Sequence, residues 1–427
     1  MASRRTVADR LAEALGAVLG TTELPLRLRG WDGSITGPAG APVVAVRSRR
    51  ALRRMLWSPG QLGLGRAYVA GEIDMEDDVF ATFAALRSAG RLVQDGPASE
   101  PTWRERLALL GTAVRLGAIG PEPAPPAEEA DLGRIGRRHS RSRDAAAISH
   151  HYDVGNDFYE LVLGPSMVYS CAVWASPETG LDAAQEAKLD LVCRKLGLAP
   201  GSRLLDVGCG WGSMAIHAAQ HYGATVVGIT LSEEQARMAR KRVAEAGLTD
   251  KIDIRVQDYR AVDDGPFDAI SSIGMAEHVG RDQMPEYVAQ LHRLLRPGGR
   301  LLNHAISWNS GTSIWNPDTF IARYVFPDGE LLGLGEMVGL LERHDLEVLD
   351  VEALRQHYAL TLRAWVQLLE DDWDAAVAAS SEGRARVWRL YMAASALTFE
   401  AGDMGVNQVL LQKAGGEQPP LRRNAWT

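Results

Sequence analysis

The sequence predicts an α/β protein built from a Rossmann-like domain, with a mostly parallel sheet and helices on both faces, preceded by a smaller mixed α+β N-terminal domain. Its 427 residues suffice for two hydrophobic cores. From Arg203 onward, short apolar runs alternate with amphipathic stretches, which is typical of a parallel sheet covered by helices. A glycine loop joins the first such run to the first such helix. The predicted domains are residues 1–100, a linker at 101–145, and residues 146–427.

The elements of the second domain follow from the periodicity of its apolar residues. The predicted strands are Leu204–Val207, Thr225–Ile229, Ile252–Val256, Phe267–Ile273 and Arg300–Ile306. The predicted helices are Ser213–Tyr222, Ser232–Ala246 and Pro285–Leu295, the last followed by a turn at residues 296–299. We expect a ligand at the carboxyl ends of these strands, where open parallel sheets bind their ligands.

The N-terminal domain contains short β-type runs at Leu26–Arg29 and Val43–Val46, separated by turns. Its glycine-rich stretch at residues 60–65 is predicted to be a structural turn, because no strand leads into it and no Lys-Ser/Thr pair follows. The linker contains the proline-rich stretch 121–126, which cannot continue a helix or a central strand.

A basic cluster follows the prolines. Its members are Arg134, Arg137, Arg138, His139, Arg141 and Arg143. Two interpretations are open: a solvated run, or a patch that binds anionic lipid, with each basic residue contributing roughly 1 kcal/mol.

Composition limits the class of protein. Hydrophobic residues make up 46% and charged residues 23%, and no apolar run approaches the roughly 20 residues that cross a bilayer. The first residues lack the apolar core of a secretory signal, and three cysteines do not predict a disulfide framework. We therefore expect a cytoplasmic protein. The net charge of −8 argues against nucleic acid as a partner.

The glycine loop is the stretch Asp206-Val207-Gly208-Cys209-Gly210-Trp211-Gly212. Alternate glycines permit a sharp turn and close approach of a ligand. The spacing is not the Gly-x-Gly-x-x-Gly of dinucleotide binding, and the second strand ends without an acidic residue for a ribose. Both features argue against NAD and FAD and favour S-adenosylmethionine.

The chain resembles the cyclopropane fatty acid synthases and the related mycolic acid methyltransferases, over about residues 148–410. The matching segments are 151–159 (HYDVGNDFY), 169–172 (YSCA), the glycine loop, 228–232 (GITLS), 277–280 (EHVG) and 357–358 (HY). This resemblance implies a class I methyltransferase domain that uses S-adenosylmethionine. The N-terminal domain, with Gly63-Leu64-Gly65 and Tyr68, resembles an accessory domain for lipid docking or dimerisation.

The resemblance also implies which residues bind the cofactor. The set is Tyr169, Ser170, Gly208 and Gly210 for the methionine part, Thr230, Leu231 and Gln235 for the ribose, and Tyr259 and Ile273 for the adenine, with Asp206 and Gly212 completing the loop. Gln235 has a second interpretation, because it lies three residues after Ser232 and could complete a capping box.

The catalytic residues implied by the resemblance surround a bound bicarbonate ion. They are Cys171 (largely through its backbone), Glu277, His304 and Tyr358, together with the backbone of Ile306. Cys171 has no visible activating partner, and ligands are not clustered at metal-site spacing, so we predict neither covalent catalysis nor a metal.

The expected reaction is methyl transfer to a cis double bond in the acyl chain of a phospholipid, through a carbocation, giving a cyclopropane. Such an enzyme would work at the inner face of the membrane, as a monomer or a homodimer. The family pattern has Phe before Glu-His, whereas this chain has Met275-Ala276, so a methylene- or methyl-branched product, with a downstream reductase, is an alternative. A non-catalytic lipid- or cofactor-binding module is another. The aromatic stretch 308–335 could form a wall of the acyl tunnel or ordinary core.

Overall fold

The chain forms two compact units, and each gathers segments that are distant in sequence. The computed structural model describes residues 5–19, 21, 23–88, 103–130, 136–140, 142–144, 147–148, 155–309 and 316–423. The first unit comprises Met1–Ala130, Asn316–Val325 and Ser381–Ala394. The second comprises Asp131–Trp315, Phe326–Ser380 and Ser395–Thr427.

The first unit combines a small sheet with short helices. Its strands are β1 (Arg27–Arg29), β2 (Ile35–Thr36), β3 (Val43–Val46) and β4 (Ile73–Met75). The helices up to residue 130 are α1 (Val7–Leu19), α2 (Arg49–Trp57), α3 (Gln61–Val69), α4 (Val79–Ser88) and α5 (Trp103–Arg115). Within the described residues the strand order is β2-β1-β3-β4, and only the β1–β3 pair is parallel. The predicted mixed α+β domain is confirmed.

Helix α5 lies inside the segment predicted to be a linker. Its inner face buries Ala113, and Leu116 and Ala118 follow into the core of the first unit. The linker prediction rested on the prolines, which begin only after this helix ends. Segments 316–325 and 381–394, predicted in the catalytic domain, also belong to the first unit, and the Arg323 carbonyl accepts a hydrogen bond from the Ala130 amide.

The glycine-rich stretch 60–65 is not the predicted turn, because helix α3 begins at Gln61. Its glycines are required by packing. A Cβ at Gly63 would overlap the Ser58 carbonyl, and one at Gly65 would overlap the Phe320 ring. Only Gly60, at the start of the helix, has a positive φ, of 92°.

The second unit contains the large sheet. Its strands are β5 (Arg203–Val207), β6 (Thr225–Thr230), β7 (Ile252–Val256), β8 (Phe267–Ile273), β9 (Leu295–Trp308), β10 (Leu346–Ala353) and β11 (Met404–Lys413). The helices from residue 155 onward are α6 (Asn156–Leu163), α7 (Leu181–Leu196), α8 (Ser213–Tyr222), α9 (Glu233–Glu245), α10 (Ala276–Val279), α11 (Met284–Leu294), α12 (Phe320–Tyr324), α13 (Leu334–Glu342), α14 (Arg355–Asp371), α15 (Trp373–Ala379) and α16 (Glu382–Ala401). Helix α12 and the first part of α16 belong to the first unit.

Across the described strands of this sheet, the order is β10-β11-β9-β8-β5-β6-β7. Strands β7, β6, β5, β8 and β9 are parallel, while β11 pairs antiparallel with both β9 and β10. The predicted Rossmann-like sheet is confirmed, and the antiparallel β10–β11 edge is an addition to it.

Residues 296–299 do not form the separate turn that their Pro-Gly-Gly sequence predicts. They lie within β9, where the pairing with β8 shifts from Phe267–Leu295 to Ala269–Arg300. Gly298, with φ of 72°, permits this irregularity. Strand β9 therefore begins five residues earlier than predicted and delivers His304 beside the end of β8, where it pairs with Ile273.

Two apolar layers cover the sheet. One contains Val207 and Ile270 packed against Leu291, and the other contains Leu204 packed against Ala215. The carboxyl ends of β5, β6 and β8 remain open to a pocket within the second unit.

Candidate functional site

The glycine loop is anchored by its backbone and open on its ligand side. The Gly208 and Cys209 amides donate to the Ile229 carbonyl at 3.0 and 2.9 Å, which fixes the loop to the end of β6. Gly208 and Gly210 have φ angles of 77° and 53°. A Cβ at Gly210 would meet no atom within 4 Å, so this glycine faces open space in the pocket.

Gly212 differs from the two glycines before it. It caps α8 in the left-handed region, and a Cβ there would lie 3.2 Å from the Cβ of Ala239 on α9. It does not line the pocket. Its close helix contact supplies a packing reason for this glycine.

The other predicted cofactor residues all line one pocket. They are Tyr169, Ser170, Asp206, Gly208, Gly210, Thr230, Leu231, Gln235, Tyr259 and Ile273. The structure therefore brings together residues from five segments of the sequence, although the glycine loop alone is a continuous motif.

Asp206 is buried at the end of β5 and is only half satisfied. Its Oδ1 accepts a hydrogen bond from the Ser271 hydroxyl at 2.7 Å, whereas Oδ2 is buried without a partner among the described residues. Burial raises the pKa of this carboxyl to about 6. A buried carboxylate oxygen in a pocket wall is suited to a cationic or hydrogen-bond-donating ligand group.

Gln235 forms only half of the predicted capping box. Ser232 caps α9 by accepting from the Gln235 amide at 3.1 Å, but the Gln235 side chain does not return to the Ser232 amide. Its Oε1 accepts from the Thr230 hydroxyl at 2.8 Å instead, while that hydroxyl accepts from the Ser232 amide at 3.2 Å. The Thr230–Gln235 pair is therefore held at the pocket wall, where hydroxyls of a ligand could bind.

Two arginines of the basic cluster form ion pairs within the second unit, and the residue that follows them, Asp144, lines the pocket. Arg143 pairs with Asp328 at 2.7 Å, and Arg138 pairs with Glu330 at 2.7 Å. Asp144, which lines the pocket, pairs with Arg260 at 2.9 Å. Neither the solvated run nor the lipid-binding patch, the two interpretations of this cluster, predicted these ion pairs. Arg134 and Arg141 lie outside the described residues. The end of the predicted linker therefore belongs to the pocket wall.

Glu277 lies in the first turn of α10, directly after β8. Its Oε1 accepts from the Ile306 amide at 2.7 Å, and its Oε2 is buried without a partner in the part of the chain that the structure describes. Burial raises the pKa of this carboxyl to about 7. The Ile306 amide, expected to contact bicarbonate, is therefore bonded to Glu277 in this structure.

His304 is buried on β9 with its two ring nitrogens in different states. Nδ1 lies 3.3 Å from the Gln408 side-chain amide, and Nε2 is buried without a partner among the described residues. Burial lowers the pKa of His304 to about 3, so the ring is neutral at physiological pH. With Gln408 donating to Nδ1, the proton resides on Nε2, which becomes a free donor.

Cys171 and Tyr358 both contact Leu354, which is hydrogen-bonded to β11 opposite Ile306 of β9. The Cys171 thiol donates to the Ala172 carbonyl at 3.2 Å and approaches the Leu354 carbonyl at 3.6 Å, and the Tyr358 amide donates to that same carbonyl. The Leu354 amide donates to Val406, the residue of β11 that pairs with Ile306. Burial raises the pKa of Cys171, which removes it further from a nucleophilic thiolate.

A family model described as mycolic acid cyclopropane synthetase matches residues 139–409. A probable fatty acid methyltransferase of Mycobacterium tuberculosis is 42% identical over 96% of this chain and 97% of its own. The chain belongs to the mycolic acid cyclopropane synthetase family.

Two further relatives bear on the cofactor of this synthetase-family chain. The cyclopropane-fatty-acyl-phospholipid synthase of Escherichia coli is 33% identical over 89% of this chain and 90% of its own. The structure of a mycolic acid cyclopropane synthase complexed with SAH and CTAB is 33% identical, with a TM-score of 0.59 over 63% of this chain and 98% of that one. The chain is therefore an S-adenosylmethionine-dependent, lipid-modifying methyltransferase, as predicted.

Two features of the synthetase-family site were missed in the sequence. Lys188 of α7 lines the pocket and is buried, although a lysine on a helix ordinarily indicates a solvated face. A row of packed aromatic rings connects the glycine loop to Tyr358. Its members, in order of contact, are Trp211, Tyr159, Tyr169, Trp365, Tyr358 and Phe399, with centroids 4.6–6.1 Å apart.

The aromatic stretch 308–335 does not supply that row. Phe320 and Tyr324 stack on each other at 4.9 Å within the first unit, where they are buried, so core packing explains them. Phe326 contacts His278 in the second unit, edge to face at 5.5 Å, and Trp315 lies outside the described residues.

None of the helices in the described ranges is long and apolar enough to span a membrane.

Proposed function

We propose that this enzyme transfers the methyl group of S-adenosylmethionine to the cis double bond of an unsaturated phospholipid acyl chain and forms a cyclopropane. The observation that carries the proposal is the pair of unsatisfied buried groups at Glu277 and His304. One is an acceptor oxygen and the other is a donor nitrogen, and both lie at the ends of β8 and β9. Methyl transfer alone requires no such pair, whereas removal of a proton does.

In this proposal the cofactor occupies the glycine-loop pocket. Gly208 and Gly210 admit the methionine part, the Thr230–Gln235 pair takes the ribose, and Tyr259 flanks the adenine. When bound, S-adenosylmethionine supplies an electrophilic methyl group. The residues of the chain hold it in place, and positioning of this kind contributes roughly 7–11 kcal/mol to lowering a bimolecular barrier.

The reaction then makes a cation on the acyl chain. The π electrons of the double bond form a bond to the methyl carbon as the carbon–sulfur bond breaks, leaving a neutral thioether and a carbocation. Tyr169 and Trp211, the two rings of the aromatic row that line the pocket, would stabilise positive charge through their faces, and the buried rings behind them keep water away. Loss of a proton from the new methyl group, with its bonding electrons closing the ring, completes the product.

The residues present fit a bicarbonate ion as the base. Glu277 Oε2 accepts a hydrogen bond from a hydroxyl, and the Nε2 proton of His304 is donated to an anionic oxygen. Bicarbonate held there would supply a base that is a weak nucleophile toward carbon. Tyr358, with its ring packed against Trp365 and Phe399, presents a third polar group from α14.

A branched product is the second candidate, and one observation favours it. Ala276 stands directly before Glu277, where the family pattern has Phe, and the preceding Met275 lines the pocket with its sulfur 3.5 Å from a Cβ at Gly208. Loss of the ring, next to a flexible thioether, changes the shape of the pocket and with it which proton of the cation faces the base. The relative named as a probable fatty acid methyltransferase agrees with either product.

Product analysis tests the proposal directly. The full chain is incubated with vesicles of a cis-unsaturated phospholipid, bicarbonate and cofactor carrying a ¹³C-labelled methyl group, and the extracted lipid is examined by NMR. A label in the high-field signals of a cyclopropane ring is expected. A label in an exocyclic methylene would establish the second candidate, and no label in the acyl chain would overturn both.

We also propose that the enzyme docks on anionic bilayers through helix α5. Its residues Trp103, Leu107, Leu110 and Val114 are 44–67% exposed, and their spacing places them on one helix face. Exposed Arg115 lies at the end of that helix, and the guanidinium of exposed Arg49 lies beside Gly117. Apolar side chains next to guanidinium groups are typical of helices that lie in a lipid interface.

Vesicle sedimentation tests this docking surface. Leu107→Gln combined with Val114→Gln is expected to weaken binding to phosphatidylglycerol-containing vesicles by about tenfold, since each leucine-sized contact contributes about 1 kcal/mol or less. Leu421→Gln changes a leucine that is 99% exposed elsewhere and is the matched control. Equal binding of the double variant and the control would assign docking to another surface, with a variant of Arg137 and its neighbouring arginines tested next.

A further inference from the structure

Lys188 is a buried ammonium group in the wall of the cofactor pocket. It lies on α7 with 1% of its surface exposed, and its Nζ donates to the Ser170 hydroxyl at 2.9 Å. That is its one hydrogen bond among the described residues, and it has no carboxylate within 4.0 Å there. A lysine has three N–H donors, so two remain for a ligand.

A buried ammonium without a counterion is costly, and the same helix shows how the chain normally avoids it. Lys195, two turns further along α7, is completely buried and pairs with Glu352 at 2.6 Å and Asp350 at 3.3 Å. Burial lowers the pKa of Lys188 to about 8, which leaves it mostly charged at neutral pH. The difference between the two lysines calls for an anion beside Lys188.

The wall of the same pocket also contains the opposite charge. Asp206 Oδ2 is buried and unpartnered among the described residues, and Asp206 lines the same pocket as Lys188 without forming an ion pair with it there. A pocket with a separated cation and anion is complementary to a zwitterion of similar span. The amino-acid end of S-adenosylmethionine is such a zwitterion.

We propose that Lys188 and the Ser170 hydroxyl form the subsite for the carboxylate of the cofactor, while Asp206 takes its ammonium group. The inference rests on the proposed placement of the cofactor in the glycine-loop pocket. It assigns Lys188 a binding role for an anionic ligand group and makes Ser170 the hydroxyl that the lysine orients.

Calorimetry with truncated ligands tests the assignment. Three ligands are compared: S-adenosylhomocysteine, its decarboxylated analogue, and 5′-methylthioadenosine, which lacks the whole amino-acid end. Lys188→Met is expected to weaken S-adenosylhomocysteine by about 10- to 100-fold, the usual range for a charge-assisted hydrogen bond in a buried site. It should change the affinity for the other two ligands by less than about threefold. Lys195→Met is the control, expected to lower stability without changing the ratio of the three affinities.

Several outcomes would overturn the assignment. A loss shared equally by all three ligands would make Lys188 a structural residue, and unchanged binding of all three would exclude it from the site. If Lys188→Met does not fold, Ser170→Ala in the same ligand series must show the carboxylate-dependent loss. A wild-type chain that binds none of the ligands would refute the cofactor placement. If Asp206→Asn abolished the preference for ligands that carry the amino-acid end while Lys188→Met had no effect, the lysine subsite alone would be refuted.

Discussion

The buried arginines of the first unit are paired with carboxylates, whereas several buried groups around the pocket of the second unit are not fully paired within the ranges that the structure describes. In the first unit, buried Arg54 pairs with Glu72 at 2.9 Å, Arg66 with Glu129 at 2.6 Å, and Arg386 with Asp74 at 3.1 Å. Each guanidinium meets a carboxylate, so the cost of burying one charge is offset by the other. These pairs have the geometry of structural residues.

In the second unit, the buried polar groups of the pocket and the adjoining strand ends remain incompletely paired. Lys188 has one neutral acceptor, Asp206 and Glu277 each leave an oxygen unpaired, and His304 leaves Nε2 unpaired, as far as the described residues extend. Native proteins rarely leave such groups unsatisfied unless a ligand or reaction uses them. Single unpaired buried atoms occur elsewhere among the described residues, at His217 and Asp264 and, in the first unit, at Arg323. The comparison teaches that a cluster of unpaired charged and polar groups at neighbouring strand ends, and not a buried charge as such, distinguishes the site.

The largest expected effect is on cofactor binding. Gly210→Val should weaken S-adenosylhomocysteine by more than about a hundredfold, because a β-branched residue disfavours φ of 53° and its side chain would enter the ligand space. Calorimetry measures it, and unaltered far-UV circular dichroism shows that the chain is folded. Unchanged affinity would mean that the cofactor binds elsewhere.

Breaking a paired charge in the first unit should lower stability and leave cofactor binding unchanged. Arg54→Met leaves buried Glu72 with exposed Arg50, at 3.3 Å, as its remaining ionic partner, and should lower the free energy of unfolding by about 3 kcal/mol, the low end of the range for a broken buried pair, with cofactor affinity unchanged. Denaturant unfolding and calorimetry on one preparation give both numbers. The comparison between units would fail if stability were unaffected while binding was lost.

Removing the charge of an unpaired buried group should raise the free energy of unfolding, by no more than the loss of a buried ion pair lowers it. Burial raises the pKa of Glu277 from 4.5 to about 7, so the folded chain holds an extra proton between these values. Stability from this group is present below pH 4.5 and is lost as pH rises toward 7. Glu277→Gln should therefore be more stable than wild type at pH 8 by up to about 3 kcal/mol.

That difference should shrink on lowering the pH toward 4.5 in bicarbonate-free buffer. Urea unfolding across this range provides the measurement, with Glu72→Gln as a control that should be destabilised at pH 8. A Glu277→Gln variant less stable than wild type at pH 8 would show that the carboxylate is satisfied in the folded chain.

Much of the second unit was predictable because its information is local. The helix Ser213–Tyr222 and the strands Ile252–Val256 and Phe267–Ile273 have the predicted bounds, since apolar runs and glycines define them within a few residues. Helix α3 was not predictable, because its glycines are required by close packing against Ser58 and against Phe320, which is remote in sequence.

The site divides in the same way. The glycine loop is continuous in sequence, so its residues alone predict a ligand site. His304 and Tyr358 were predicted only from the family resemblance. Lys188 carried no signal, because burial without a carboxylate partner is a property of the fold and cannot be read from an amphipathic helix. Pairing information of this kind is long-range by nature.

We propose that the unpaired Glu277 and His304 groups hold the base of the reaction. Turnover on unsaturated phospholipid vesicles, with bicarbonate titrated into carbon-dioxide-free buffer, tests it most directly. Wild type should be activated saturably, and Glu277→Gln should turn over at least about a hundredfold more slowly without responding to bicarbonate, since a positioned base is worth 10²–10⁴ in rate. Its affinity for S-adenosylhomocysteine should equal that of wild type. Turnover of the variant within a fewfold of wild type, or wild-type turnover indifferent to bicarbonate, would contradict the account.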